Sequence, residues 1–341
     1  MPDATSGPLR IGVAGFWHVH AAEYAELAQA HPRTELVGVW DDDLDRGAAG
    51  AAGLGVDTFG SMAELIDGTD GVIVTTATSA HRDVMTALAA AGRHMFAEKV
   101  LAPTVAETEE IIAATRRNDV RLVVSLPRLY HGYTEAVVDL VAGGRLGRLT
   151  YGRVRLCHDG ATAGWLPDRF FAPDEAVGGA LTDLGCHPAY LTQLFLGDRP
   201  ETVSATYRSL TGRQVEDQAV VTLGYANGAI GVLETGFVSS PGFSIELYGT
   251  EASLHYSDDG TLRLRTRSDA SALPVPPDGP DAFSRWVEHI DTGTTADDNV
   301  TRALELTRLV VAANTAAATG RTMPCEDGRQ THEPAMATPP A

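Results

Sequence analysis

Two side chains able to share a proton stand four residues apart, Asp183 and His187, in the stretch Gly178-Gly179-Ala180-Leu181-Thr182-Asp183-Leu184-Gly185-Cys186-His187. On a helix, that spacing puts both on one face. A carboxylate beside an imidazole raises its basicity and holds its orientation. Such a pair suits a general base for a hydroxyl proton, worth roughly 10²–10⁴-fold in rate. An ordinary helix pair has the same spacing. A lysine, Lys99, follows Glu98 in Ala97-Glu98-Lys99-Val100. At the rim of a buried parallel sheet its ammonium can orient a substrate oxygen or lower its pKa. The plainer alternative is a surface lysine paired to Glu98.

A second group of residues has the spacing of a nucleotide site. An apolar run enters Gly12-Val13-Ala14-Gly15-Phe16-Trp17-His18-Val19-His20, and a turn there would aim helix amides at a pyrophosphate. The dinucleotide fingerprint needs three glycines. Only Gly15 is firmly in place; Trp17 and His20 occupy the other two positions if no gap is allowed. A tight strand–helix turn without a ligand fits equally well. Asp41 follows Trp40 directly, where a carboxylate can bind both hydroxyls of a ribose. With Asp42 and Asp43 it would repel a 2′-phosphate, which favours NAD over NADP. An acidic solvated loop is the competing reading. Thr76, Ala77 and His81 close a third apolar run. Trp165, Phe170, Phe171 and Tyr190 could present flat faces to a sugar ring or simply pack. Arg128, His131, His158 and Arg169 could bind hydroxyls or an anion, or be surface residues. His18 and His20 have HxH spacing, but sequence shows no third ligand, so no metal is expected.

The elements that must position these groups fall into two regimes. From residue 9 to about 124, strands at 9–13, 36–40, 71–75, 94–97 and 121–125 alternate with helices at 20–29, 62–66, 81–91 and 105–117. Short links between them predict a parallel sheet with right-handed crossovers. Ligands of such sheets bind beyond the carboxyl ends of the strands. After residue 125 alternating strands dominate, at 149–157, 202–207, 219–225, 229–237, 243–248 and 262–266. Ala226-Asn227-Gly228 and Asp258-Asp259-Gly260 are hairpin signals. Helices are expected at 133–142 and 181–195 before most of this largely antiparallel sheet, and at 300–318 after it. The reading is α/β throughout: domain one over 1–125, domain two over 126–325, and a polar, Pro- and Ala-rich disordered tail at 326–341.

A chain of 341 residues is long for one core. Hydrophobic residues at 44% and charged residues at 21% describe a globular protein. A formal net charge of -19 argues against nucleic acid and anionic membrane surfaces as partners. Three separated cysteines offer no disulfide framework, and no signal-type or membrane-spanning segment is seen, so a cytoplasmic location is expected.

These motifs together resemble the Gfo/Idh/MocA family, the glucose–fructose oxidoreductase and inositol dehydrogenase group, over nearly the whole chain to about Met323. Residues 76–81 resemble its "TPNxxH" turn, 97–100 its "EKP", and Arg145-Leu146-Gly147 its "GxLG". Residues 177–187 resemble "GGGxLxDxGxH". Glu216-Asp217 and 225–231 resemble the "EDxxxxxxxxxNG" sheet segment. The resemblance implies a Rossmann domain followed by an α/β domain whose open sheet often serves as an oligomer interface, here a homodimer or homotetramer. It also implies NAD or NADP and a sugar or cyclitol substrate. The family's catalytic lysine, aspartate and histidine fall on Lys99, Asp183 and His187. Its cofactor-binding residues fall on Gly15, Phe16, Trp17, His18, Asp41, Thr76, Ala77, His81, Glu98 and Lys99. Arg128, Trp165, Arg169 and Tyr190 are the substrate-binding candidates.

Three departures stand out. Val100 replaces the proline of "EKP"; a cis bond there costs a non-proline residue about 2.5–4 kcal/mol, which leaves open a trans path with Lys99 displaced. Ala77 and Thr78 replace the turn's proline and asparagine. The phosphate turn is either shortened, with His20 matching the family's following histidine, or has two glycines replaced. Trp17 would then block close backbone approach unless the loop is reshaped. The expected chemistry is hydride transfer, with His187 taking the hydroxyl proton, Asp183 orienting His187, and Lys99 stabilising the reacting oxygen. Two rivals remain: an NAD-dependent glycosidase or lyase that borrows and returns the hydride, and a non-catalytic dinucleotide-binding protein.

Overall fold

A computed structural model of the chain describes residues 7–325. The tail at 326–341 lies outside the described residues. The first half runs β1 (Leu9–Ala14), α1 (Ala21–Ala30), β2 (Thr34–Trp40), α2 (Leu44–Leu54), α3 (Met62–Gly68), β3 (Gly71–Val74), α4 (His81–Ala90), β4 (His94–Ala97), α5 (Val105–Arg117) and β5 (Leu122–Val124). Its five strands form a parallel sheet in the order β2-β1-β3-β4-β5. The order reverses at β1, so the turn after β1 opens onto the crevice where such sheets bind ligands. β3 and β4 are apolar almost throughout, as strands covered on both faces must be.

The second half runs α6 (Gly132–Ala142), β6 (Leu149–Cys157), α7 (Gly160–Ala163), α8 (Pro173–Ala176), α9 (Cys186–Leu196), β7 (Thr202–Arg208), β8 (Gln218–Gly224), β9 (Ile230–Gly236), β10 (Gly242–Gly249), β11 (Ala252–Ser257), β12 (Leu262–Thr266), β13 (Ala270–Leu273), α10 (Ala282–Thr292), α11 (Asp297–Thr319) and β14 (Met323–Pro324). Its strands form a nine-stranded sheet, β13-β12-β11-β10-β6-β9-β8-β7-β14, antiparallel except for the β6–β9 pair. α9 and α11 cover one face. The other carries an ion-pair ladder, with Arg153 bridging Glu234 at 2.6 Å and Glu246 at 2.7 Å across three strands.

Three local differences from the sequence reading have physical causes. α2 is rich in alanine and glycine and carries bulky apolar residues only at its two ends, Leu44 and Leu54. It is fixed by its ends: Asp43 accepts from the Asp45 and Arg46 amides, and Gly55 closes it at φ 69°. α10 lies within 126–325, yet it packs on the parallel sheet. Phe283 and Trp286 join Ile11, Val13, Ile73, Phe96 and Val123 in one buried cluster. Finally, α9 begins at Cys186, five residues later than expected. The amides before it are drawn away by a distant partner: Gly179 and Leu181 donate to the Glu216 carboxylate, and Ala180 to the Glu216 carbonyl. A Cβ on Gly179 would meet that carbonyl at 2.0 Å, so only glycine fits there.

Candidate active site

β1 to β5 end on one edge, and a candidate residue follows each within two positions: Gly15, Asp41, Thr76, Lys99 and Ser125. The Glu98 amide bonds to Val74, which keeps β4 in register to its last residue. The Lys99–Val100 peptide is cis, not the trans path left open above. The Lys99 side chain is 2% exposed, and its ammonium donates to Asp183 twice, to Oδ1 at 2.6 Å and to the main-chain oxygen at 2.9 Å. Burial disfavours its charge, but the charges of Asp183 and Glu98 outweigh burial and hold it above its ordinary value. Burial likewise opposes an ionised Asp183, yet Lys99 and His18 keep that carboxyl well below the usual carboxylate range. This charge pair, its lysine buried and its acid 23% exposed, joins the two halves of the chain across 84 residues.

Glu98 is the centre of a second knot. Its Oε1 lies 2.7 Å from His20 Nδ1, 3.4 Å from His18 Nδ1 and 2.5 Å from the Tyr24 hydroxyl, which also contacts Ser125 at 2.7 Å. Burial resists its charge, but His18, Lys99 and His20 hold the carboxyl well below its ordinary value. The two histidines diverge. Burial pushes His18 down, whereas His20 overcomes its burial through Glu98 and is raised. His18 Nε2 meets Asp183 Oδ1 at 3.2 Å, so the two knots share an acid.

His187 differs from the sequence expectation. Because residues 182–185 form a turn rather than a helix, Asp183 faces Lys99 and His18, and it is Tyr190 that meets His187 Nδ1, at 2.9 Å. Tyr190 is fully buried and also accepts from the Arg128 amide at 3.1 Å, so it positions the imidazole and is not available to substrate. Burial first, then the charges of Lys99 and Arg128, hold His187 well below its ordinary value; the imidazole is neutral.

Residues toward a dinucleotide are arranged as follows. The turn of 15–20 is short, and α1 starts only at Ala21. Gly15 sits at φ 88°, where a Cβ would strike the Thr76 backbone at 2.7 Å. Thr76 Oγ1 is buried without a hydrogen-bond partner. The Trp17 indole packs with Phe170 at 4.8 Å and donates to Glu175 at 2.5 Å. The loop is thus reshaped as a tryptophan there requires. The four lone-pair sites of Asp41 are all taken, by the Phe16 and Asp43 amides and by two bonds from Arg46. Ribose hydroxyls would have to displace Arg46. With that one movement the edge fits a dinucleotide: a glycine cradle, an unused threonine hydroxyl beside it, and an acid at the end of β2. His81 is fully buried between the Leu101 and Thr76 carbonyls at 3.2 and 3.3 Å and braces the Thr76 turn from behind. Ala77 packs beside the Trp17–Phe170 cluster.

The expected substrate side chains separate. Trp165 is 51% exposed, donates to Asp159 at 3.1 Å and packs on His158, whose pKa feels both Asp183 and Lys99. Arg128 lies over the Phe243 ring at 4.2 Å and donates to the Tyr133 hydroxyl. Arg169 is committed elsewhere: it donates to the Trp17 carbonyl and locks residues 168–171 onto the first domain's turn. Sequence reasoning missed Tyr24 and Ser125, and it took Glu216 only as part of a sheet motif. Each acts through partners 35 to 101 residues away.

Residues 9–126 match the family model described as oxidoreductase family, NAD-binding Rossmann fold, and residues 134–255 match the GFO/IDH/MocA C-terminal domain. The chain is 30% identical to a 1,5-anhydro-D-fructose reductase of Ensifer adhaerens, over 71% of this chain and 76% of that one. It is 26% identical to a myo-inositol 2-dehydrogenase of Thermotoga maritima, over 72% and 74%. A levoglucosan dehydrogenase solved with NADH and levoglucosan superposes with a TM-score of 0.81 at 18% identity, covering 94% of this chain and 100% of that one. Among the described residues, no helix is long and apolar enough to cross a membrane.

Proposed function

The chain belongs to the GFO/IDH/MocA family of NAD(P)-dependent oxidoreductases, and from that premise we propose that it oxidises or reduces a hydroxyl-bearing carbon of a sugar or cyclitol. The observation that carries this reading is Lys99 locked on Asp183, with His187 close enough that burial and then the Lys99 charge hold its imidazole below its ordinary value. The nicotinamide, when bound, accepts the hydride that the carbon releases. Lys99 donates a hydrogen bond to the reacting oxygen and stabilises its developing charge. His187 takes the hydroxyl proton on Nε2, which requires the tautomer whose Nδ1–H is donated to the Tyr190 oxygen. Asp183 fixes the charge and direction of Lys99, a different role from the one expected of it by sequence.

Relatives named as dehydrogenases and reductases favour net transfer over a borrowed hydride. Incubation with NAD and a panel of cyclitols and aldoses, followed at the nicotinamide band, accumulates reduced cofactor with the right substrate. His187→Ala then loses roughly 10²–10⁴-fold in kcat. A variant within about threefold of wild type would remove His187 from the chemistry. NAD is the preferred cofactor, because Asp41, Asp42 and Asp43 surround Arg46. The uncovered sheet face, with Val220, Ile230 and Tyr248 at 45%, 46% and 42% exposure, is the surface for a homodimer or homotetramer. Three free cysteines suit the cytoplasm.

A further inference from the structure

We propose that His18, His20 and Glu98 form a binding site for one divalent transition ion of the zinc class. From sequence the two histidines lacked a third donor; the fold supplies it 78 residues on, at the end of β4. One ligand atom from each residue lies within 4.8 Å of the others. Bonds of about 2.0–2.1 Å at tetrahedral angles separate neighbouring donors by roughly 3.3–3.5 Å. The pair His18 Nδ1 and Glu98 Oε1, at 3.4 Å, already meets that requirement. The pair His20 Nδ1 and Glu98 Oε1, at 2.7 Å, must open by less than 1 Å, which a change in the His20 side-chain torsions provides.

The surroundings are those of a metal site. His18 uses its other nitrogen, Nε2, on Asp183, the imidazole–carboxylate support that orients a ligating histidine. Tyr24 donates to Glu98 and is itself tied to Ser125, so the carboxylate ligand is also held. Phe170 packs on the His18 ring at 5.3 Å and Trp17 packs on Phe170, which closes one side to water. His18 Nδ1 accepts from the His20 amide at 3.3 Å and so presents a lone pair rather than a proton; the ion would replace that bond. Two imidazoles and a carboxylate select a transition ion over magnesium or calcium, and three protein ligands leave a coordination position open. Glu98 and Asp183 carry two negative charges against the single charge of Lys99, so one net negative charge offsets half of an added dication's charge.

The experiment uses the full-length, tag-free chain, stripped with chelator and titrated with Zn²⁺ by calorimetry and with Co²⁺ by visible absorption, without dinucleotide or substrate. One equivalent per chain is expected. His18→Ala and His20→Ala each weaken uptake at least 100-fold, and Asp183→Asn weakens it 10- to 100-fold. His289→Ala, far from the cluster in sequence and bonded to Thr294, leaves it unchanged. Should the histidine variants fail to fold, X-ray absorption of the zinc-loaded wild type decides, with two imidazoles in the first shell expected. No saturable uptake, uptake indifferent to both histidines, or sulfur in the shell would overturn the proposal. Because the titration contains no cofactor, its failure leaves the redox reading standing, and a failed redox assay leaves the titration valid.

Discussion

Asp183→Asn preserves the shape of the side chain and an oxygen acceptor for Lys99 but removes the charge. Taking one partner from a buried ion pair costs about 3–5 kcal/mol, because the other charge is stranded. Two features reduce that here. Asp183 is 23% exposed, and Lys99 keeps the Asp183 carbonyl at 2.9 Å and Glu98 at 4.0 Å. The expected loss is therefore about 2–3 kcal/mol. Unfolding entropy near 2.1 cal/mol/K per residue gives about 0.7 kcal/mol/K for 341 residues, so Tm falls by about 3–4 °C. The kinetic signature is separate. In the wild type Lys99 stays charged across the working range, being held above its ordinary value. Without the carboxylate, burial dominates and the ammonium discharges at lower pH, so the variant loses activity at alkaline pH where the wild type does not. Lys99→Met with Asp183→Asn completes a double-mutant cycle, and urea denaturation of the four proteins gives a coupling energy of at least about 1 kcal/mol. A single variant within about 0.5 kcal/mol of wild type, together with additive effects, would refute the claim that these charges are buried against each other.

Gly15→Ala forces a Cβ into the Thr76 backbone at 2.7 Å from a φ of 88°. It should cost about 1–3 kcal/mol of stability and weaken NADH binding in calorimetry; unchanged values for both would show that the turn does not cradle the dinucleotide. Stability should also rise between pH 5 and 7. His18, His81, His94, His158 and His187 are all lowered from 6.5, chiefly by burial. The unfolded chain then binds protons more readily, so stability is intact above about pH 6.5 and drains below it. His20, raised by Glu98, runs the other way: its contribution is present below 6.5 and fades as pH climbs through its folded value. Five groups oppose one, and a denaturation midpoint that stays flat over this range would contradict the assignment.

Much of this was legible along the chain. β4 and α5 have the bounds that local pattern implies, and α5 is announced by a capping box in which Thr104 and Glu107 satisfy each other's amides. The alternation of β6 likewise sets its length. What failed to show was decided at a distance. The pairing of Asp183 with His187 rested on helical spacing, and the helix starts late because Glu216 captures the amides before it. Glu98 looked like a neighbour for Lys99; its hub role depends on Tyr24, His18 and His20 arriving from the first turn of the sheet. The helix with Trp286 belongs to a sheet completed some 160 residues earlier, a relation that no local periodicity carries.

That last relation bears on how the protein is made. When a ribosome has delivered the parallel strands and the helices between them, Ile11, Val13, Ile73, Phe96 and Val123 still lack the cover of Phe283 and Trp286. The amino-terminal half therefore waits, with an oily flank open, while well over a hundred further residues are translated. At roughly 5–20 residues per second that interval lasts on the order of ten seconds or more, long enough for a chaperone to hold the unfinished chain.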